Sequence, residues 1–294
     1  MSSRVWLITG ASSGFGLEMT RLALSKGERV VATLRRPEVL QSLATAHPPS
    51  QLLVLRLDVS QPVQITDVFA QAKAAFGRVD VVFNNAGFAV AGEAEAVPAE
   101  PARAMFDVNF WGAVAVSLEA VRFFREENVP QGGRLIQNSA GMGLVTLPTF
   151  AFYSAAKHAL EGFTETLEKE LNPAWNIQIS SVLCGGFVTE FKGSIQVFPQ
   201  HPAYTFEGAN AAADTREWFL KTEAGDVEVQ KKSGFSDTAK GVQRIYELSE
   251  LPSPPLRLLL GKDINKYVRQ YIAQLTEEAD AYEAWSDHLA FESN

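Results

Sequence analysis

Apolar residues follow two rhythms along this chain. Short apolar runs alternate with longer stretches in which they recur every three or four positions, the periods of buried strands and of amphipathic helices. Residues 5–8 (VWLI), 29–34 (RVVATL), 52–57 (LLVLRL), 79–83, 134–137, 177–183 and 256–260 read as seven strands. Residues 17–26, 62–76, 99–127 and 153–171 read as helices. In 62–76, Val63, Val68, Phe69 and Ala72 supply one side; in 99–127, Phe106, Asn109, Phe110, Val114, Leu118, Val121 and Phe124 recur; in 153–171, Leu160, Phe163, Leu167 and Leu171 form a stripe. Pro37 suits the first turn of a helix after the second strand. Strands alternating with helices predict an α/β fold, a doubly wound parallel sheet covered on both faces. Right-handed crossovers then bring the carboxyl ends of the strands to one edge, where ligands bind.

Two stretches break the alternation. Residues 187–235 hold no clear strand and carry isolated aromatics, Phe191, Phe198, Tyr204, Phe206, Trp218 and Phe219. An insertion of this length after a strand end is expected to be a substrate-binding flap. Residues 263–294 repeat Ile264, Tyr267, Val268, Tyr271, Ile272 and Leu275 at helical spacing, a C-terminal helical extension packed on the domain or across a subunit interface.

Composition narrows the class. At 294 residues and 46% hydrophobic, the chain can bury one full core, so residues 1–294 are expected to form a single domain. A net charge of -8 and a pI near 5.2 argue against nucleic acid or an anionic membrane as partner. The lone Cys184 excludes an internal disulfide, and His47, His158, His201 and His288 show no ligand spacing, so no metal is expected. The first strand starts close behind Met1, leaving no room for a signal peptide, and no uncharged apolar run approaches 18 residues. The expectation is a cytoplasmic protein.

Between the first strand and the first helix stands Thr9-Gly10-Ala11-Ser12-Ser13-Gly14-Phe15-Gly16. Gly10 allows a tight turn, while Gly14 and Gly16 allow close backbone approach to a pyrophosphate and tight helix packing. The helix N-terminus adds unpaired N–H groups and a positive dipole end. A tight structural turn, or another nucleotide-like ligand such as S-adenosylmethionine, would use the same pattern. At the ends of later strands lie Asn84-Asn85-Ala86-Gly87 and Asn138-Ser139-Ala140-Gly141, and Tyr153 and Lys157 share one helix face.

With TGASSGFG (9–16), Asp58-Val59, NNAG (84–87), Asn109, the serine segment near 139, YSAAK (153–157) and CGGFVT (184–189), the chain resembles the short-chain dehydrogenase/reductase family over residues 4 to 190. Its ATLRR and HALEGFTETLEKEL segments are similar to the carbonyl-reductase, hydroxysteroid- and retinol-dehydrogenase-like branch. The resemblance implies a Rossmann-like sheet, a nicotinamide cofactor, a small carbonyl or alcohol substrate, and a homodimer or homotetramer. It implies Tyr153 as acid/base, Lys157 holding the nicotinamide ribose and lowering the phenol's pKa, and Asn109 anchoring a water. It places Gly10, Ser12, Ser13, Gly14, Phe15 and Gly16 on the pyrophosphate, and Asp58 and Val59 by the adenine. Asn85, Ala86 and Gly87 follow the riboses, and Phe187, Val188 and Thr189 the carboxamide.

Cofactor choice is legible in Leu34-Arg35-Arg36, which lacks the acid that NAD-binding relatives carry there. Guanidinium groups suit a 2'-phosphate, so NADP(H) is expected, with Arg35 the leading contact and Arg36 second. Two positions depart from the family pattern. Relatives place the catalytic serine thirteen positions before the tyrosine, which here is Ala140, with Ser139 one step earlier. Either Ser139 does the work, or Ala140 fills the slot and the chain is a slow enzyme or a nucleotide-binding sensor or scaffold. Cys184 stands where relatives carry proline, and reads as a small apolar filler.

Overall fold

The computed structural model describes residues 3–189, 195–206, 208–221, 227–289 and 291. In chain order its strands are β1 (Val5–Thr9), β2 (Arg29–Leu34), β3 (Leu52–Arg56), β4 (Val81–Asn84), β5 (Val90–Ala91), β6 (Gly133–Ala140), β7 (Ile177–Cys184), β8 (Gln196–Val197) and β9 (Arg257–Leu260). The helices are α1 (Gly14–Ser25), α2 (Gln41–Ala46), α3 (Pro62–Phe76), α4 (Ala99–Phe106), α5 (Ala113–Glu126), α6 (Ala151–Glu170), α7 (Ala211–Lys221), α8 (Val227–Lys232), α9 (Thr238–Leu248) and α10 (Lys262–Tyr282).

Seven strands form one sheet in the order β3-β2-β1-β4-β6-β7-β9, every pair parallel. Chain order reverses between β1 and β4, and the crevice at that switch point is where such sheets hold ligands. Alternation along the strands divides the core. Leu7, Val31, Val82 and Leu135 face α3 and α5, meeting Phe69, Phe123 and Phe124. Trp6, Ile8, Phe83 and Ile136 face the other way, against Met19 and Leu24 of α1 and Val242 and Ile245 of α9. Truncating one of these buried phenylalanines to alanine would cost about 3–5 kcal/mol.

The periodicity needs correction in several places. Val63 is 75% exposed and Leu118 51% exposed, so neither belongs to the buried face. The predicted long helix is one rod with a π-helical segment, Asp107–Gly112, between α4 and α5. By length and composition the rod could cross a membrane. Here, however, Val116, Ala120, Phe123 and Phe124 pack on the sheet. Helix α9 has no counterpart in the predicted elements. Asp237 caps it by accepting from the Lys240 N–H, and Val242, Ile245, Tyr246 and Leu248 form its buried stripe.

The stretch after β7 contains α7, α8 and the short strand β8, which pairs with β5 in parallel. A buried ion pair pins it to the body: Arg216 on α7 donates to Glu93 at 2.7 Å and to the Phe198 carbonyl at 2.7 Å. Burial opposes the charge on Glu93, but the Arg216 hydrogen bond and charge together with backbone N–H bonds outweigh it and hold the carboxyl below its usual range. Phe191 lies outside the described residues, as do the side chains of Trp218 and Phe219. On α10 only Ile264 and Val268 are buried within the chain, while Tyr267, Tyr271, Ile272 and Leu275 are exposed; of the two expected placements of the stripe, this limits packing on the domain to its first turns.

Candidate active site

The glycine turn leaves β1 at the switch point. Gly10 has φ +66°, and a Cβ there would meet the Ala86 Cα at 2.9 Å. A Cβ on Gly16 would meet the Gly10 carbonyl oxygen at 2.3 Å. Gly16 therefore serves packing and does not face the cleft. Ser13, the N-cap residue of α1, makes no capping bond with its side chain, so the first N–H groups of α1 remain available to an anion.

A lattice of amides ties this turn to the neighbouring strand ends. Thr9 Oγ1 accepts from the N–H groups of Asn85 and Ala86 at 2.8 and 3.0 Å. Asn85 Nδ2 donates to the Thr9 carbonyl at 2.8 Å. Asn138 Nδ2 donates to Asn85 Oδ1 at 2.7 Å, and the Asn138 carbonyl accepts from Lys157 Nζ at 3.0 Å. Asn138 is the residue that residue-by-residue reading missed. Its place at the end of a central strand beside β4 was the available signal.

One cleft of about 1100 Å³ runs over this lattice, large for a ligand pocket. Its wall includes Gly10, Ser12, Ser13, Gly14 and Phe15, then Arg35, Asp58 and Val59, then Asn85, Ala86 and Gly87, with Phe187 and Thr189 opposite and Tyr153 and Lys157 at the base. Arg35 is exposed and makes no hydrogen bond or ion pair among the described residues. Of the expected contacts, Gly16, Arg36, Val188 and Asn109 do not line the cleft. Val188 is tied by its backbone, its N–H donating to the Ser236 carbonyl at 3.0 Å. Asn109 sits behind the wall, gripping the Phe88 backbone at 3.0 and 2.7 Å.

Tyr153 and Lys157 are both buried, with Lys157 Nζ 5.8 Å from the tyrosine ring centre. Burial disfavours charge on each. It raises the Tyr153 phenol above its ordinary value and pushes Lys157 down to about 8. In the protein alone the Tyr153 pKa is thus raised by burial; the expected lowering involves the charge of a bound nicotinamide as well as Lys157. Cys184 also faces the cleft, its thiol pushed up to about 12 chiefly by burial. A group held neutral in this way fits a filler and not a nucleophile.

Ser139 and Ala140 end β6 side by side. Strands β6 and β7 stay in register to their last pair, Ala140 opposite Cys184, so no bulge disturbs the alternation of side chains. Ser139 lines the cleft that Tyr153 also lines. Its Oγ lies 3.2 Å from where a Cβ on Gly143 would be, near the Lys157 carbonyl and Glu161, with no hydrogen-bond partner among the described residues. Ala140 takes the other face and packs in the cluster containing Phe150 and Tyr153.

This sheet, its switch-point glycine turn and the buried Tyr–Lys pair define a doubly wound α/β protein with a dinucleotide-type cleft. The profile of the short chain dehydrogenase family matches residues 4–198, and the chain belongs to that family of oxidoreductases. It is 34% identical over 287 residues to an uncharacterized oxidoreductase of Schizosaccharomyces pombe, covering 97% of this chain and 91% of that one. It is 31% identical over 261 residues to the 3-ketodihydrosphingosine reductase of Bacteroides thetaiotaomicron, covering 89% of each. A short-chain dehydrogenase from Streptomyces avermitilis superposes with a TM-score of 0.84 at 31% identity, over 97% of this chain and 98% of that one.

Proposed function

We propose that this protein is an NADPH-dependent reductase of ketones or aldehydes, reversible as an alcohol dehydrogenase, acting on a fairly apolar small molecule. The carrying observation is that one cleft runs from Arg35, past the glycine turn, to Tyr153 and Lys157. The residues fit a dinucleotide. A Cβ at Gly10 would collide with the Ala86 backbone, so the turn can pack this tightly only with glycine; the α1 N-terminus is open, and Arg35 stands free for a 2'-phosphate. A bound nicotinamide would supply the hydride. Tyr153, kept protonated by burial, donates its proton to the forming alkoxide. Lys157, bonded to the Asn138 carbonyl, holds the ribose. Asn109 acts indirectly, by fixing the Phe88 backbone against the cleft.

Residues 187–235 act as the flap over the substrate, anchored through Arg216 and Glu93. The exposed Trp111 and Leu118 on the rod of α4 and α5 favour a homo-oligomeric contact on that face. We place the protein in the cytoplasm, in line with its single free cysteine.

Ala140 supports a second reading, a nucleotide-binding sensor or scaffold with weak or no catalysis, because it stands where relatives carry the catalytic serine. Ketone-dependent NADPH oxidation by the parent and by Tyr153→Phe decides between them. The reductase reading expects turnover that falls about a thousandfold in the variant with NADPH affinity retained. NADPH binding without turnover on any ketone would favour the sensor.

A further inference from the structure

The double glycine after Cys184 has a partner that the reading above does not use. A Cβ on Gly185 would lie 2.2 Å from Asp263 Oδ1, and one on Gly261 would lie 2.4 Å from the same atom. Asp263 Oδ2 accepts the Gly186 N–H at 2.7 Å. One residue on, Ile264 is buried against the neighbouring loop, where a Cβ on Gly141 would meet its Cδ1 at 2.0 Å. The first turn of α10 is thus wedged between the loops that follow β6 and β7. These are the loops that carry Ala140 and Phe187 to the cleft. Tyr267 and Tyr271 also reach the cleft wall; they stand three and seven positions beyond Ile264, on the same helix face.

We propose that Asp263 is a positioning residue that locks the Gly185–Gly186 turn to α10, so that the cofactor loop and the α10 wall of the substrate site are set as one unit. A loop with Gly at both 185 and 186 is conformationally loose by itself. The Asp263 carboxylate supplies the restraint from outside the loop, through a charge-assisted bond to a backbone N–H. This explains why the chain carries Cys-Gly-Gly where proline would otherwise stiffen the turn: the stiffness comes from α10, and Gly185 is the space that the carboxylate fills.

The inference rests on the dinucleotide reading of the cleft, and the test separates the two. Asp263→Ala and Asp263→Asn are compared with the parent by NADPH fluorescence titration and by hydrogen exchange of the ligand-free proteins, with melting temperatures as a check on folding. Loss of the bond should weaken NADPH binding about tenfold in Asp263→Ala, and Asn, which keeps an acceptor oxygen, should restore it to within about threefold. Amides of residues 185–188 and of the first turn of α10 should exchange together, about tenfold faster than in the parent. Parent binding that Asp263→Ala leaves intact would overturn the inference while leaving the dinucleotide reading in place. If the parent binds no NADPH, the dinucleotide reading fails, and the exchange arm alone decides. Unchanged exchange at 185–188 in Asp263→Ala would then overturn the inference, as would acceleration at α10 without the loop.

Discussion

At the glycine turn the cleft is made of backbone. Gly10 lies against Ala86 and Gly16 against the Gly10 carbonyl, and Thr9, Asn85 and Asn138 lock three strand ends together. At the other end the walls are side chains on mobile-length connections and helices. Phe150 precedes α6, the β8–α7 segment hangs from the Glu93–Arg216 pair, and Tyr267 and Tyr271 sit on the largely exposed α10. Backbone walls tolerate few sequences and fit one kind of ligand. Side-chain walls change shape with each substitution. On the proposed function, cofactor choice would reside in the glycine turn and Arg35, and substrate choice in a few replaceable side chains of the opposite wall.

The sharpest way to break this division lies at its cofactor end. Arg35→Ala should raise the KM for NADPH about 30- to 100-fold, the worth of a lost charge-assisted contact, and leave NADH nearly unchanged. Arg36→Ala, outside the cleft, should change either by less than about threefold. Equal losses at the two arginines in steady-state assays would dissolve the claim that Arg35 selects the phosphate. At the boundary between the two ends, Ala140→Ser should raise kcat about tenfold or more by adding a donor to the substrate oxygen. Ser139→Ala tells the two positions apart: a fall in kcat would give Ser139 the catalytic role, and an unchanged kcat would clear it.

A smaller effect follows from Lys157. Its proton leaves near pH 8 in the folded protein, against 10.5 for the ordinary side chain. Between these values the unfolded chain binds more protons than the folded one, so this group's contribution to stability rises with pH across that window. Lys157→Met should therefore help the fold most below pH 8, and its melting-temperature difference from the parent should shift against the variant toward pH 10. Because the cation fades above pH 8, ketone reduction by the parent should fall about threefold or more between pH 7.5 and 9. The smallest effect is expected at Thr149, a β-branched residue held at φ +67° whose carbonyl accepts from Gly92. Thr149→Gly should stabilise by about 0.5–1 kcal/mol in thermal unfolding.

The same division governed what was legible in the sequence. Strand runs and glycine signals report backbone, so the sheet, the turn and the Tyr–Lys pair could be read from residues 4 to 190. Parity at the end of β6 was not legible, because Ser139 and Ala140 differ by one position, and the structure places both in the cleft wall. The stretch after β7 misled for a related reason. A two-residue strand such as β8 has no period to detect, and α9 is short enough for its stripe to pass as loop. In α3 and α5, Val63 and Leu118 are apolar yet exposed, since periodicity marks a face and not its edges. Asp263 offered no signal, because its meaning depends on Gly185 and Gly186, remote in sequence.

The most direct measurement is a single-turnover experiment: the protein loaded with one equivalent of NADPH, mixed rapidly with an apolar ketone, and followed by nicotinamide absorbance with product analysis. The account predicts loss of the reduced-nicotinamide signal with an equivalent of alcohol formed, slow in the parent, faster in Ala140→Ser and suppressed in Tyr153→Phe. Tight NADPH binding with no oxidation in either the parent or Ala140→Ser would contradict it.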